Sequence, residues 1–394
     1  MSLRVTIASR IFRPEAGAAA FRLGALADEL VGRGHRVTVL TSTPPEGVCD
    51  DGPMTVRRRR VLRDRSGSVR GYLQYLSFDV PLFFRLLATR SDVVVVEPPP
   101  TTGVVTRVVC ALTRTPYHYF AADVVSAAAA GVGVNRTVVR LLAAVERWAL
   151  NGSRSVLAVS EGVRQSLIGI GVRESLIDVV GMGIDTVRFT YRPGLPASAG
   201  RTLVYAGTMS EIHGAEVFVR AFAEIADLHP GARVLMFGRG VEVPALQRLA
   251  DELVPGRVEI RPPESPDRLS EEFSVAHAAL ASVKPGVGYD FAFATKALAG
   301  LSAGAPVIYS GVGPLGPVVR EHGLGWAVDW EPAAVAKAMD EALSSDPDDQ
   351  RRADLSRWVL DHHSLRSVAA AAADVVVGPA ARDGRSSSAA RSDR

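Results

Sequence analysis

The residues of this chain best placed to do chemistry cluster near position 290. They read Gly288-Tyr289-Asp290-Phe291-Ala292-Phe293-Ala294-Thr295-Lys296, then Ala297-Leu298-Ala299-Gly300-Leu301-Ser302-Ala303-Gly304-Ala305-Pro306-Val307-Ile308. The pattern predicts a loop that enters a helix, with the helix ending at Gly304 before an apolar strand. A helix start offers free backbone N–H groups and a positive dipole end, which suits a diphosphate. Lys296 falls in that first turn. The chain has three lysines (Lys284, Lys296 and Lys337) against forty-two arginines. A compact ammonium is therefore a departure from the chain's habit, and lysine and arginine do not bind phosphate alike. Chance use of a surface lysine is the competing explanation.

Other candidates sit at the ends of expected strands. Val204-Tyr205-Ala206-Gly207-Thr208-Met209-Ser210-Glu211-Ile212-His213-Gly214 opens a strand through glycine into a helix start. His213 there serves either a phosphate or the loop itself. Phe237-Gly238-Arg239-Gly240 is a second glycine turn and carries a cation. With Gly286 and Gly288, three such turns in one half of the chain favour a shared anionic ligand. In the other half, Asp123 follows the stretch His118-Tyr119-Phe120-Ala121-Ala122. A carboxylate at a strand end either orients a sugar hydroxyl or caps the Ala-rich helix after it. After the first strand, the loop containing Gly17, Ala18 and Arg22 has small residues that let backbone approach a ligand. Tight helix–strand packing explains those residues equally well. The loop is not GxGxxG, so a dinucleotide site is not indicated. No nucleophile elbow, P-loop or metal-ligand spacing occurs.

The elements that must hold these residues alternate along the chain. Strands are expected at 3–8, 37–41, 92–96, 117–121, 156–160 and 177–180, and again at 202–206, 233–237, 258–260, 278–283, 306–310 and 325–328. Many are valine-rich and apolar on both faces, as buried parallel strands are. Helical stripes such as Leu23, Leu26, Ala27 and Leu30 lie between them. Alternation over this length predicts doubly wound α/β domains. The Pro-, Gly- and Ser-containing segment 191–200 divides the strands into two sets. The expected domains are thus 1–190 and 191–363, followed by a helix at 364–377 and a disordered tail at 378–394, which is rich in Ser, Ala and Arg. Such folds bind ligands at the carboxyl ends of their strands.

Composition excludes some classes. With 394 residues, 47% hydrophobic, 22% charged and a net charge of +3, the chain is an ordinary globular protein, and its charge is too small to argue for nucleic acid. Cys49 and Cys110 stand alone, without CxxC spacing, which suits a reducing compartment. The N-terminus lacks signal-peptide features and no apolar run is long enough to span a bilayer. The expected location is cytoplasmic. Within 57–90, Arg57-Arg58-Arg59-Arg60, Arg63, Arg65 and Arg70 precede the aromatic, apolar Tyr72–Phe84. A basic loop beside such a helix fits the surface of an anionic membrane, here the inner face of the plasma membrane, or simply a buried helix.

Taken in order, these residues resemble the family 4 glycosyltransferases, retaining enzymes of the GT-B fold. The resemblance runs from Arg4 to about Val377. It rests on Arg13-Pro14-Glu15-Ala16-Gly17-Ala18, Gly34-His35-Arg36-Val37-Thr38-Val39-Leu40-Thr41, Val159-Ser160-Glu161-Gly162, Gly183-Ile184-Asp185-Thr186-Val187-Arg188-Phe189, Ala206-Gly207-Thr208-Met209 through His213-Gly214, and Thr295-Lys296 to Ile308. It is most similar to the branch that builds cell-surface polysaccharide on lipid carriers. The resemblance implies two Rossmann-like domains facing across a cleft, with the acceptor on the N-terminal side and a nucleotide-sugar on the C-terminal side. It implies a last helix returning to the first domain, and metal-independent transfer without a protein nucleophile or cofactor. On that reading Lys296, Asp290 and Asp123 serve the reaction, with Lys296 and the backbone N–H groups of Ala294–Lys296 taking charge on the leaving group. Gly207, Thr208, His213, Gly238, Arg239, Ala294 and Thr295 hold the donor, and Gly17, Ala18 and Arg22 form the acceptor-side loop. The family's two glutamates, eight positions apart, fall at Phe291 and Ala299, with Asp290 one place from the first. Ser210 and His213 stand near the family's donor-loop Arg and Lys, and Ala18 replaces a second glycine. A soluble natural-product acceptor, a sugar-nucleotide 2-epimerase and a non-catalytic GT-B partner protein are the other readings.

Overall fold

A computed structural model describes residues 2–378, apart from 16, 46, 48–50, 65–68, 70, 132–133, 196–200, 291 and 346–347. Phe291, Cys49, Arg65, Arg70, half of the expected linker and the tail from 379 onward therefore lie outside the described residues.

The first half runs β1 (Arg4–Ala8), α1 (Ala18–Gly32), β2 (Arg36–Ser42), β3 (Thr55–Arg59), α2 (Tyr72–Leu87), β4 (Val93–Val96), α3 (Pro100–Thr113), β5 (Tyr117–Ala121), α4 (Val125–Gly131), α5 (Arg136–Asn151), β6 (Ser155–Ala158), α6 (Glu161–Gly169) and β7 (Ile177–Val179). The second runs β8 (Thr202–Ala206), α7 (Glu216–Ile225), β9 (Arg233–Phe237), α8 (Val243–Leu253), β10 (Val258–Arg261), α9 (Pro266–Val275), β11 (Ala278–Val283), α10 (Lys296–Ser302), β12 (Val307–Gly311), α11 (Leu315–Glu321), β13 (Gly325–Val328), α12 (Pro332–Ser344), α13 (Asp349–His363) and α14 (Leu365–Val377). Each half is a parallel sheet. The strand orders are β3-β2-β1-β4-β5-β6-β7 and β10-β9-β8-β11-β12-β13. In both, the order reverses beside the first strand, between β1 and β4 and between β8 and β11. A doubly wound sheet opens its ligand crevice at such a reversal.

The apolar runs form strands because helices cover both of their faces. All four valines of β4 are buried. The leucine stripe of α1 is fully buried against the first core. One strand departs from expectation. Arg57–Arg59 belong to the edge strand β3, paired in parallel with β2 at Leu40, Thr41 and Ser42, rather than to a basic loop. Exposed charges on an edge strand keep it from pairing further.

The chain crosses between halves twice, and the crossings are joined. The Ile184 N–H donates to the His363 carbonyl and the Leu365 N–H to the Ile184 carbonyl, both at 2.8 Å. After the second crossing, α14 packs on α1 and places Ala372, Ala373 and Val376 in the first core. The position of α10 matters most for the site. A Cβ at Gly300 would lie 2.2 Å from Ala279 Cβ, so glycine lets α10 rest directly on β11.

Candidate functional site

Lys296 opens α10, and its Nζ donates to Tyr205 Oη at 2.7 Å. Tyr205 lies in β8, fully buried, and its own hydroxyl donates to the Thr208 carbonyl at 2.8 Å. The ammonium also lies 4.7 Å from the Tyr205 ring centre. A Cβ on Gly207 would come within 3.4 Å of Nζ, so the lysine fills the space beside the glycine turn. Among the described residues no carboxylate pairs with it. Burial accordingly pushes the Lys296 ammonium down from 10.5 to about 7, because desolvation disfavours the charged form. Lys284, at the end of β11, contrasts with it. Its Nζ is bound to Glu216 at 2.9 Å and covers the Trp330 ring at 4.6 Å.

The glycine turns interlock. The Gly207 N–H donates to the Phe237 carbonyl and the Met209 N–H to the Arg239 carbonyl, at 2.8 and 2.9 Å. Any Cβ at Gly238 would meet the Gly207 carbonyl oxygen at 1.9 Å. Thr208 and Arg239 are exposed on this rim, and no described residue pairs with the Arg239 guanidinium. His213 Nδ1 shares a hydrogen bond of 3.0 Å with Ser210 Oγ. Burial, aided by the charge on Lys296, pushes His213 down to about 4, so its imidazole is neutral at ordinary pH.

Two details of the expected donor site change. The Thr295 N–H already donates to the Phe293 carbonyl at 2.9 Å, so of the amides at Ala294–Lys296 that one is taken. The helix is also a short seven-residue turn, which leaves the side chain of Lys296 as the principal positive group. Ala299, at the family's second glutamate position, is buried in a core cluster with Val204, Phe273 and Ala279. Asp290 is exposed in the loop before α10, and no hydrogen bond or ion pair joins it to Lys296.

On the first sheet the polar groups collect at the ends of β1, β4 and β5. Glu97, just after β4, is 5% exposed. It accepts from Ser9 Oγ at 2.5 Å and pairs with Arg22 at 3.3 Å. Burial pushes its carboxyl up, opposed chiefly by the Arg22 charge. Gly17, Ala18 and Arg22 are not a loop as expected: Ala18 and Arg22 belong to α1, and Gly17 is its N-cap. Arg22 does not reach out freely, since Glu97 holds it and its guanidinium lies 5.0 Å from the Phe120 ring centre. Gly17 has an extended φ of 175° and a Cβ there would meet only Ile11, at 3.9 Å, so the fold itself does not require glycine.

Asp123 is not the helix cap. The N–H groups of Val125 and Ser126 donate to Glu146 of α5, each at 3.0 Å. Asp123 is left with no side-chain partner among the described residues. Desolvation at the strand end pushes its carboxyl up, countered by Arg22 and then Arg10. The structure thus joins Lys296, Tyr205, Gly207, Thr208 and His213 into one group and gathers Asp123, Arg22 and Glu97 at the carboxyl ends of the other sheet's central strands. Tyr205 and Glu97 escaped the sequence reading. The acid directly after a four-valine run was a usable signal for Glu97; nothing local marked Tyr205 as the lysine's partner. Among the described residues no group of three or more His, Cys, Asp or Glu is placed to hold a metal ion.

Comparison with known proteins agrees with this layout. Residues 17–183 match the family described as Glycosyl transferase 4-like domain, and residues 200–345 match Glycosyl transferases group 1. A D-inositol 3-phosphate glycosyltransferase from Acidothermus cellulolyticus is 33% identical over 219 residues, covering 50% of this chain and 46% of that protein. The chain thus matches about half the length of that curated relative. Among solved structures, Anabaena Alr3699/HepE in complex with UDP and glucose superposes with a TM-score of 0.72 at 16% identity, covering 96% of this chain and 100% of that one. WaaG, a glycosyltransferase involved in lipopolysaccharide biosynthesis, gives 0.71 at 18% identity, covering 95% and 100%. Two parallel Rossmann-like sheets, a 4-like domain on the first and a group 1 domain on the second place this chain among the glycosyltransferases of the GT-B fold.

Proposed function

We propose that the protein is a retaining glycosyltransferase that moves a sugar from a nucleotide-sugar to an acceptor hydroxyl. The observation that carries the proposal is Lys296: a lysine without a carboxylate partner among the described residues, half-buried beside the glycine turn of a group 1 domain. A bound diphosphate supplies the counter-charge that the protein withholds. During transfer the bond from the sugar's anomeric carbon to the diphosphate oxygen breaks. The bond to the acceptor oxygen forms on the same face. The acceptor proton passes to the departing phosphate oxygen, as the family resemblance implies. Lys296 stabilises the charge that grows on the leaving group, and Thr208 and Arg239 line its exposed rim. Asp123 orients a hydroxyl on the acceptor side.

The reading extends to a lipid-linked glycan acceptor in cell-surface polysaccharide synthesis at a membrane surface. Its support is the basic strand β3 beside the aromatic helix α2. The names differ, a D-inositol 3-phosphate glycosyltransferase for one relative and a glycosyltransferase involved in lipopolysaccharide biosynthesis for one structural neighbour, so acceptor assays should span lipid-linked, inositol phosphate and other soluble acceptors. One observation favours a non-catalytic partner protein instead: the core position of Ala299, where the family carries a glutamate.

The test is calorimetric titration with UDP, GDP, ADP and dTDP without metal, UDP first because a structural neighbour holds it, followed by turnover with the matching nucleotide-sugar. Saturable binding with turnover is expected. Lys296→Ala should lose about 2–4 kcal/mol of transition-state stabilisation, the range for removing one charge-stabilising donor. Binding without turnover across all acceptors would favour the partner protein.

A further inference from the structure

We propose that the outward face of helices α2, α3 and α5 docks on an anionic lipid leaflet, an inference that rests on the lipid-linked acceptor reading above. The helix α2 is apolar on two sides. Phe78, Leu82 and Leu86 face the core. Tyr72, Leu73, Leu76, Val80 and Phe84 are 52–82% exposed. At about 100° per residue, their spacing gathers them into one stripe away from the buried side. An amphipathic helix of a water-facing surface would carry polar residues there.

The helices beside it also expose apolar side chains. The helix α3 packs against α2, and α5 against α3. Their outer sides expose Leu112 and Leu141. Arg107 of α3 lies 4.0 Å from the Trp148 ring centre of α5, so the two helices share one surface. Exposed apolar side chains scattered singly are ordinary, but a contiguous patch marks an interaction site.

Charge identifies what covers it. The three helices hold two carboxylates, Asp79 and Glu146, and both are buried. Arg136, Arg140 and Arg147 of α5 are exposed. At the other margin Arg57 and Arg59 of β3 are exposed beside Arg85 of α2, and no described carboxylate pairs with either. A second copy of the chain would set arginine against arginine. An anionic leaflet satisfies both features, taking the apolar stripe into the acyl boundary and the guanidinium groups among the headgroups. No described helix is long and apolar enough to cross a membrane, so the contact is interfacial. It would hold the end of a lipid-linked acceptor near the first sheet.

The test is flotation of the full chain with phosphatidylcholine vesicles, with and without phosphatidylglycerol, at low and high salt. The parent should float with the anionic vesicles only, and less so at high salt. Two variants, Leu73→Gln/Leu76→Gln/Phe84→Gln and Arg57→Glu/Arg59→Glu, should each lose about tenfold or more in partitioning. Their melting temperatures and UDP affinity should match the parent, because the substituted side chains are exposed. Failure of the parent to float, or equal flotation of the variants, would overturn the proposal. So would an oligomeric parent that the apolar variant makes monomeric. A parent that floats but turns over no nucleotide-sugar would refute the transferase reading and leave the docking surface standing.

Discussion

Binding of a nucleoside diphosphate should draw a proton onto Lys296. In the free protein its pKa is about 7, against an ordinary 10.5. A diphosphate in contact removes the reason for the depression by supplying the missing negative charge. Full recovery is about 3.5 units, and at about 1.4 kcal/mol per unit this sets an upper limit of roughly 5 kcal/mol on the coupling. Solvent reaching the partly buried amine screens part of that, so a realised coupling of about 2–3 kcal/mol is expected. At pH 8 about nine-tenths of the free protein carries neutral Lys296, and with that coupling binding should take up about 0.7–0.8 of a proton; at pH 6 it should take up about a tenth. The dissociation constant should weaken roughly tenfold per pH unit above about 7.5, until the pH reaches the raised value in the complex. Calorimetry of UDP binding in two buffers of different ionisation enthalpy reads the proton count directly. Lys296→Met should bind weakly and show neither the uptake nor the slope. The same linkage acts on stability. The folded pKa lies below the unfolded one, so the unfolded chain binds more protons between pH 7 and 10.5. The burial penalty is complete below about pH 7 and fades as pH rises through that window. Ligand-free Lys296→Met should therefore melt higher than the parent at pH 6.5, with the gain shrinking toward pH 10. Equal proton uptake by parent and variant at pH 8 would refute the reasoning.

Further outcomes follow from the contacts. Gly238→Ala drives a Cβ into the Gly207 carbonyl and should cost about 2 kcal/mol or more in thermal or denaturant unfolding, with loss of nucleotide binding. Gly17→Ala, by contrast, meets no close neighbour and should cost about 1 kcal/mol or less in stability, the loss of a preferred N-cap, so a rise in acceptor KM without a larger loss of stability would report ligand contact there. Arg22→Ala leaves Glu97 buried without its cation and should cost about 3–5 kcal/mol, much of it recovered in the Arg22→Ala/Glu97→Gln double variant. Asp123→Asn should lower kcat/KM for the acceptor while leaving UDP affinity unchanged; a large change in melting temperature instead would assign Asp123 to the fold.

Much of the architecture is written in local pattern. Val93–Val96 and the runs like it are apolar on both faces, and only a parallel sheet covered by helices buries both, so two doubly wound domains follow from the sequence. The glycines at 207 and 238 mark strand ends because the first has a φ of 150° that favours glycine and a Cβ on the second would strike the Gly207 carbonyl. Other features depend on what long-range packing brings near. Arg57–Arg59 contain no apolar alternation, and they form a strand because β2 offers an unpaired edge. Asp123 has the right position to cap α4, yet Glu146, twenty-three residues later, reaches those amides first and leaves the aspartate open. The sequence marks Lys296 as an unusual cation but not as one whose charge is poised near neutral pH. Its pKa is lowered because tertiary packing sets it against Tyr205, ninety-one residues away, in a place that strips away much of its water and brings no described carboxylate. Local order is fixed by the periodicity of apolar side chains; the protonation of a single buried group is set by every neighbour the fold delivers to it.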